Sequence, residues 1–400
     1  MPYDVAIVGA GPAGSTAAKF LAEKGIKTVL IDKSKFPRDK PCGGGLTASI
    51  FKTFNYINTE EFIDSFCYGG VVWSKSLNSI RITSTKPVIG TVLRKQFDQK
   101  LVEIAQENGA EFVENKKITH IKIKKDGVRL FGDAGFSVSS EVVLGADGVW
   151  STIAKNTGLR PNDSSFGICL YNEIILGEEA IERYFSKERF VHLHLKFEGI
   201  PGYGWVFPKK ESVNLGVGVI DAVIFKKKYM IDLKVVFTKY LWTLKKAGLL
   251  PQDLSLGVVK GGALPSHPLR KMYTNRVLLC GDAAGLINPL TGEGIDYAMN
   301  SGKIAADLVV EAVQNEETNE KFLSKYQTRI HHQFGKDIDL FLKGSKQWYK
   351  GNEKFFSLIQ NDKEMAEMFL QIITGNECIS TIKWKLLRRF LSQRLKEFFK

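Results

Sequence analysis

Three glycines and one aspartate carry the first chemical signal in this chain. Gly9, Gly11 and Gly14 stand in the spacing G-x-G-x-x-G, and Asp32 follows at the end of a second apolar run. In that spacing Gly9 permits a tight turn, Gly11 lets the backbone approach a pyrophosphate, and Gly14 lets a helix pack closely on a strand. A carboxylate at the distance of Asp32 grips a ribose hydroxyl pair and favours a free 2′-hydroxyl. The ligand class is a dinucleotide, FAD or NAD. Such chemistry needs a strand at Asp4–Val8, a helix over Pro12–Lys24 whose N-terminal N–H groups face the phosphate, and a second strand ending at Asp32. A glycine-rich turn in some other α/β protein is the bland alternative, and the register of strand, helix, strand and acid argues against it.

Two later stretches repeat the pattern of a buried strand delivering an acid. One is Gly145-Ala146-Asp147-Gly148-Val149-Trp150-Ser151, where the serine can start a helix. The other is Leu279-Cys280-Gly281-Asp282-Ala283-Ala284-Gly285, continuing through Thr291-Gly292-Glu293-Gly294-Ile295 into a long helix. Asp282 can bond a ribityl hydroxyl there, while the new helix N-terminus stabilises negative charge on a reduced flavin ring. Arg94 opens the amphipathic helix Thr91–Asn108, which sets Phe97, Leu101, Ile104 and Ala105 on one face. A cation at that end opposes the helix dipole, so an anionic partner is expected for it. Between Asp32 and that helix, the irregular loop KSKFPRDKPCGGGL offers Lys33 and Arg38 to a phosphate or carboxylate. Its Pro41-Cys42-Gly43-Gly44-Gly45 run gives a backbone able to approach a flat ligand.

The elements that must position these residues set the architecture. Four hundred residues exceed one ordinary core, so two or three lobes are expected. With 44% hydrophobic and 25% charged residues the chain has the composition of a globular enzyme, and its formal charge of +13 suits an anionic partner. Five scattered cysteines without CxxC spacing indicate a reducing compartment and exclude a zinc framework. Six histidines show no metal-ligand spacing; His192 and His194 share a strand face and are expected as a solvated or core-satisfied pair, so no metal is expected. No apolar run is long enough to span a bilayer, and the N-terminal run belongs to the first strand rather than to a signal peptide. A cytoplasmic protein is expected, soluble or peripheral on the membrane face.

Along the chain, a helix is expected over Leu46–Phe54, strands near Gly70–Trp73 and Ser79–Thr83, and a meander at Lys117–Lys124, Gly127–Phe131 and Gly135–Val138. Glu141–Ala146 reads as a separate buried strand. Gly167–Leu176, Phe190–Phe197, Tyr203–Phe207 and Ser212–Val219 read as a mostly antiparallel sheet inserted into the nucleotide fold. Helices follow at Asp232–Ala247 and Gly294–Ala312, with a core strand at Arg276–Cys280 between them, and the chain reads as helical from Glu320 onward. The fold class is α/β, or α+β taken whole: a Rossmann-like FAD-binding domain (1–165 and 258–313), an antiparallel-sheet substrate domain (166–257) and a helical C-terminal region (314–400).

Taken together, the glycine fingerprint, Arg94 with its helix and the two acid-delivering strands resemble the FAD-binding fold of the p-hydroxybenzoate-hydroxylase-like flavoproteins, from Met1 to about Val313. The resemblance implies FAD rather than NAD. It implies that Gly9, Gly11, Ala13, Gly14, Asp32, Lys33, Arg38, Cys42, Gly43, Gly45, Arg94, Asp147, Asp282, Gly292, Gly294 and Ile295 line the cofactor, with the backbone near Ile118 at the adenine end. Within that superfamily, Lys40-Pro41-Cys42-Gly43-Gly44-Gly45-Leu46 and Pro201-Gly202-Tyr203-Gly204-Trp205-Val206-Phe207-Pro208-Lys209 resemble the geranylgeranyl reductases. Strand alternation puts Tyr203, Trp205 and Phe207 on one face, either a flat aromatic wall for an isoprenoid chain or simply sheet core. The middle glycine, Gly44, replaces a polar or acidic residue common in related reductases and supplies no side chain. Tyr203 and Phe207 depart from the halogenase pattern, which argues against halogenation.

The resemblance implies hydride transfer from reduced FAD to a double bond of a geranylgeranyl chain, on archaeal-type ether lipids first. Cys42 or Tyr203 is the candidate proton donor; an inert thiol is the alternative for Cys42. A flavin monooxygenase of a hydrophobic substrate and a non-catalytic membrane-surface flavoprotein are the rival functions. The electron donor is left between NAD(P)H and ferredoxin or another carrier protein, and no nucleic-acid partner is expected. The tail Thr381–Lys400 is basic, with Leu387, Phe390, Leu391, Leu395 and Phe398 forming an apolar stripe. It is either a terminal helix packed on the body or one lying on anionic lipid.

Overall fold

The computed structural model describes residues 2–161, 164–221, 232–348, 353–374 and 377–398. The chain forms two compact units: Met1–Lys40, Arg94–Phe166 and Leu264–Lys336 make the first, and Pro41–Leu93, Gly167–Ala263 and Asp337–Lys400 the second.

In the first unit the short apolar runs become strands of one sheet, in the order Tyr273–Thr274, Val277–Leu279, Ser137–Gly145, Tyr3–Val8, Thr28–Ile31, Glu111–Val113. From Val277–Leu279 to Glu111–Val113 every neighbouring pair is parallel. Ile7, Leu30, Leu144 and Leu278 are fully buried, as strands covered on both faces require. Parallel strands end on the same edge, so Gly9, Asp32, Ala146-Asp147 and Cys280-Gly281-Asp282 all emerge at one side of the sheet. The expected strands at Gly135–Val138 and Glu141–Ala146 are one strand, Ser137–Gly145. Its first half pairs antiparallel with Gly127–Gly132 and its second half parallel with Tyr3–Val8, so a single extended segment serves both ladders.

The second unit is built on a seven-stranded sheet, ordered Lys260–Pro265, Phe166–Ile175, Ser212–Val219, Gly202–Pro208, Val191–Leu195, Gly69–Trp73, Ser79–Thr83. From Phe166–Ile175 to Ser79–Thr83 it is antiparallel except where Val191–Leu195 meets Gly69–Trp73. On one face, Val206, Val213, Leu215 and Val217 pack against the helices Glu178–Phe185 and Leu233–Lys246. On the other, Val72, Ile80 and Ile82 are covered by the helices Glu353–Gln360 and Lys363–Ile373. These units cut the chain differently from the division at 165, 258 and 314. Strands Gly69–Trp73 and Ser79–Thr83 extend the inserted sheet, and their apolar face draws the later C-terminal helices onto it. The earlier helix Lys325–Ile330 instead packs in the first unit, where the Tyr326 hydroxyl donates to the Leu279 carbonyl at 2.9 Å.

Two expected helices start later than the pattern suggests. Gly45–Thr47 is a strand before the helix Ala48–Thr53, and Ile89–Thr91 is a strand before the helix Arg94–Glu107. These two strands pair with each other, and Ile89–Thr91 also pairs with Ser65–Cys67, a small sheet whose partners lie too far apart in sequence to show in a local pattern.

Candidate functional site

The first unit assembles the nucleotide cradle. Gly11 is the N-cap of the helix Pro12–Glu23, and Ala13 lies buried in its first turn. A Cβ on Gly14 would lie 1.8 Å from the Gly9 carbonyl oxygen, so only glycine lets this helix sit so close to the first strand. Asp32 ends the neighbouring strand almost wholly buried; it accepts the Ala10 N–H at 2.8 Å and the Ser34 N–H at 2.8 Å. The carboxylate therefore pins the glycine turn and keeps further lone pairs for a ribose. The Lys116 N–H donates to the Asp32 carbonyl at 2.9 Å, which sets Ile118, the first residue of its strand, two positions from that contact. Lys33 is exposed.

Arg94 has an anionic partner, and it is Asp98 of its own helix. The guanidinium donates through Nε and Nη2 to the two carboxylate oxygens, both at 2.8 Å. Arg38 approaches the same fully buried Asp98 at 2.9 Å through Nη2, leaving one net positive charge in the cluster. That Arg38 nitrogen would be 3.5 Å from a Cβ on Gly11, so the cation stands over the fingerprint turn where a pyrophosphate would lie.

At the adjoining strand ends, Asp147 Oδ2 accepts from the N–H groups of Thr152 (2.7 Å) and Ile153 (3.2 Å), capping the short helix there together with Ser151. Burial raises the Asp147 carboxyl against those hydrogen bonds. Arg160 ties this turn to the next acid-delivering turn, donating to the carbonyls of Val149 and, at 3.4 Å, Ala283. Asp282 is raised by burial, a shift opposed by the nearby charges of Lys40, Arg94 and Arg160. Gly292 adopts a φ of +71°, and Gly294 is the N-cap of the helix Ile295–Gln314. Glu293 Oε1 accepts the Asp296 N–H at 2.7 Å; burial, then the charges of Asp296 and Asp282, push it up to about 8.

Segments far apart in sequence, at 9–14, 32–40, 94–98, 147–160 and 282–295, thus meet in one unit. Three buried polar atoms here, Thr16 Oγ1, Arg38 Nη1 and Asp147 Oδ1, have no hydrogen-bond partner among the described residues. Native interiors rarely leave such atoms unsatisfied, and a polar dinucleotide supplies what they lack. The residues present fit FAD.

Cys42, Gly43 and Gly45 belong to the second unit and stand with the aromatic strand Gly202–Pro208. Tyr203, Trp205 and Phe207 share one face of that strand, opposite Val206 and its helix-covered core. The Trp205 indole lies flat on Gly216, where a Cβ would come within 2.3 Å of the ring, and the Tyr203 ring centroid is 6.0 Å from it. The Phe207 ring edge would be 2.7 Å from a Cβ on Gly43. Trp205 is buried, as core would be; Tyr203 and Phe207 are half-buried. Gly44 has φ +77° and would place a Cβ 2.3 Å from the Val92 carbonyl oxygen, so no other residue fits there without strain. Its N–H donates to Cys42 Sγ at 3.3 Å.

Sequence reasoning passed over Arg160 and Glu293, and in the second unit Glu173, Lys209 and Asn214. A lysine directly after the aromatic strand was the visible signal for the last group. Its burial to 2% exposure beside a carboxylate depends on the fold. His192 and His194 prove to be core: Trp73 Nε1 donates to His192 Nδ1 at 3.2 Å, and His194 Nδ1 pairs with the Tyr240 hydroxyl at 2.9 Å.

The FAD binding domain family matches residues 2–211, and the chain is a flavoprotein of that class. A digeranylgeranylglycerophospholipid reductase of Methanocaldococcus jannaschii is 34% identical over 343 residues, covering 82% of each chain. One from Methanococcus vannielii is 29% identical over 391 residues, 95% of each. Among solved structures, a geranylgeranyl bacteriochlorophyll reductase-like protein of Thermoplasma acidophilum superposes with a TM-score of 0.79 at 22% identity, over 95% of this chain and 98% of that one. That likeness speaks for the fold. The chain belongs to the digeranylgeranylglycerophospholipid reductase family: it is an FAD-dependent oxidoreductase acting on CH–CH groups, of the geranylgeranyl reductase type. The monooxygenase and the non-catalytic flavoprotein are set aside by that membership.

Proposed function

We propose that this enzyme saturates the geranylgeranyl chains of an archaeal-type ether lipid. The observation that carries the proposal is the face shared by Tyr203, Trp205 and Phe207, with Phe207 against Gly43 of the cysteine loop. Flat aromatic side chains, the Trp205 indole N–H already satisfied by Asn214, suit a hydrocarbon. When bound and reduced, FAD supplies the hydride for one alkene carbon, and a protein group supplies the proton for the other. Cys42 is the first candidate for that proton: its thiol stands in the glycine loop beside the aromatic strand, held by the Gly44 N–H at 3.3 Å. Tyr203 is the second. The residues from Gly9 to Ile295 described above hold the cofactor, and their unsatisfied polar atoms take its phosphates and hydroxyls. The test is to reduce the purified holoenzyme chemically, add a digeranylgeranyl ether lipid and follow product mass for one added H2 per double bond. An unchanged lipid mass with fully reduced flavin ends the substrate assignment. The flavin is re-reduced by NAD(P)H or by a ferredoxin-type carrier, told apart by anaerobic bleaching with each.

A lipid substrate also favours a surface location. No helix among the described residues is long and apolar enough to cross a membrane. The terminal helix Ile379–Phe398 turns Ile382, Leu386 and Phe390 inward onto the core that covers Val72, Ile80 and Ile82. Phe390 thereby leaves the single stripe the sequence suggested, and the side chains of Leu395 and Phe398 lie outside the described part. On the opposite face Trp384 is 65%, Leu387 44% and Leu391 52% exposed, beside exposed Lys383, Lys385 and Arg388. We propose that this face rests on anionic lipid, where each basic residue contributes about 1 kcal/mol. Sedimentation with anionic vesicles is expected, and not with zwitterionic ones; replacing Trp384, Leu387 and Leu391 by serine is expected to abolish it. A wild-type protein that ignores anionic vesicles refutes this location.

A further inference from the structure

The second unit contains a partly buried polar chain that the proposed reaction does not use. Glu173 accepts three hydrogen bonds: from Lys209 Nζ at 2.7 Å, Ser212 Oγ at 2.6 Å and Asn214 Nδ2 at 2.8 Å. Asn214, fully buried, spends its amide completely. Nδ2 also donates to the Cys42 carbonyl at 3.1 Å, and Oδ1 accepts the Trp205 indole N–H at 2.8 Å. One amide therefore joins the cysteine loop to the aromatic strand. Its orientation is dictated, because Glu173 needs a donor and Trp205 an acceptor.

We infer that Lys209, Glu173 and Asn214 form a positioning relay that holds the Cys42 loop in register with Trp205. The physical argument is satisfaction at depth. A buried ammonium persists only beside an anion, and Lys209, 2% exposed, has the carboxylate of Glu173, which is itself 30% exposed and held by two further donors. Glu173 in turn fixes Asn214, and Asn214 fixes the Cys42 backbone and the indole. The ammonium adds a second effect. A Cβ on Gly44 would lie 3.3 Å from Lys209 Nζ, so the positive charge stands against the residue whose N–H holds Cys42 Sγ. An apolar pair in place of Glu173 and Lys209 would pack without fixing either neighbour. The relay's contribution to turnover rests on Cys42 being the proton donor; its control of the loop does not.

The test reads Cys42 itself. In the intact holoenzyme, iodoacetamide labelling of each cysteine is followed by peptide mass spectrometry. Cys67 and Cys280, buried and both pushed up to about 12 by that burial, serve as internal reporters of folding. Asn214→Leu removes the bonds to the Cys42 carbonyl, to Trp205 and to Glu173 while leaving the Lys209–Glu173 ion pair. Cys42 labelling is expected to rise about thirtyfold, as the loss of the two hydrogen bonds that bridge loop and strand, near 1 kcal/mol each, implies. Cys67 and Cys280 are expected to stay unlabelled. If Asn214→Leu exposes Cys67 and Cys280, the Glu173→Gln/Lys209→Met double variant, with Asn214 intact, is measured instead, with a smaller rise expected. A Cys42 labelling rate within a factor of about two of wild type in the folded variant overturns the relay. Altered labelling with unchanged single-turnover reduction keeps the relay and removes Cys42 as donor.

Discussion

The cofactor cradle of the first unit and the aromatic strand of the second handle polar atoms in opposite ways. Around the glycine fingerprint, Thr16 Oγ1, Arg38 Nη1 and Asp147 Oδ1 are buried without hydrogen-bond partners among the described residues, and two guanidiniums share one carboxylate. Along the aromatic strand the indole N–H, the Asn214 amide, the Glu173 carboxylate and the Lys209 ammonium are all paired. A region that leaves hydrogen-bonding capacity open is built for a ligand that returns it, and a region that consumes its own presents hydrocarbon. Under the proposed function, the contrast separates two kinds of ligand: a charged dinucleotide and an apolar chain.

Acidity offers the strongest test of that contrast, because the two regions should weaken in opposite directions. In the second unit burial lowers His192 to about 4 and His194 to about 3. Below the ordinary histidine range the unfolded chain binds protons that these rings refuse, so stability present above pH 6.5 is lost as pH falls toward the folded values. From pH 8 to pH 5 the loss is about 2 kcal/mol for each ring, measured by denaturant unfolding. In the first unit Glu293 has the reverse sign: the native state keeps a proton that the unfolded chain releases, so stability falls as pH rises from the ordinary carboxylate range through about 8. Glu293→Gln is expected to raise the melting temperature of the apoprotein at pH 8 and leave it unchanged at pH 4. A response to pH in one direction only would break the contrast.

Cofactor affinity should track the cradle alone. Asp32→Ala removes the acceptor of the Ala10 and Ser34 N–H groups as well as the ribose contact, and FAD affinity should fall about 100-fold, read by flavin fluorescence titration. Arg38→Met leaves the two-bonded Arg94–Asp98 pair intact and should weaken FAD by about tenfold, with a shallower salt dependence. Phe207→Ala is the smallest expected effect on the cofactor: FAD affinity unchanged, with the KM for the isoprenoid lipid raised several-fold. A Phe207 variant that loses FAD would show that the two regions are not separable.

Much of the first unit was legible because its signals are local. Gly9, Gly11, Gly14 and Asp32 report a strand, turn, helix and strand whose contacts span only some thirty residues. The acids at 147 and 282 were legible for the same reason, each closing its own short apolar run. The second unit was legible as alternation, and Tyr203, Trp205 and Phe207 do share a face. Less visible was membership: Gly69–Trp73 and Ser79–Thr83 join a sheet whose other strands begin nearly a hundred residues later. Nothing in either segment names its partner. Phe390 likewise could not be sorted from Leu387 and Leu391, because helical periodicity gives angles and not what stands beside them.

By itself the sequence determined where backbone must bend and where acids must end strands, since those requirements are met by the residue types at those positions. It thereby determined the dinucleotide class, and the resemblance to the p-hydroxybenzoate-hydroxylase-like flavoproteins narrowed that to a flavin. Only the tertiary structure decided which charges meet: that Arg94 answers to Asp98, that Arg160 links two acid-bearing turns, and that Lys209, Glu173 and Asn214 close on the Cys42 carbonyl. A side chain's electrostatic partner is set by proximity in space, and in a mixed sheet proximity is created by pairing between segments that carry no record of each other.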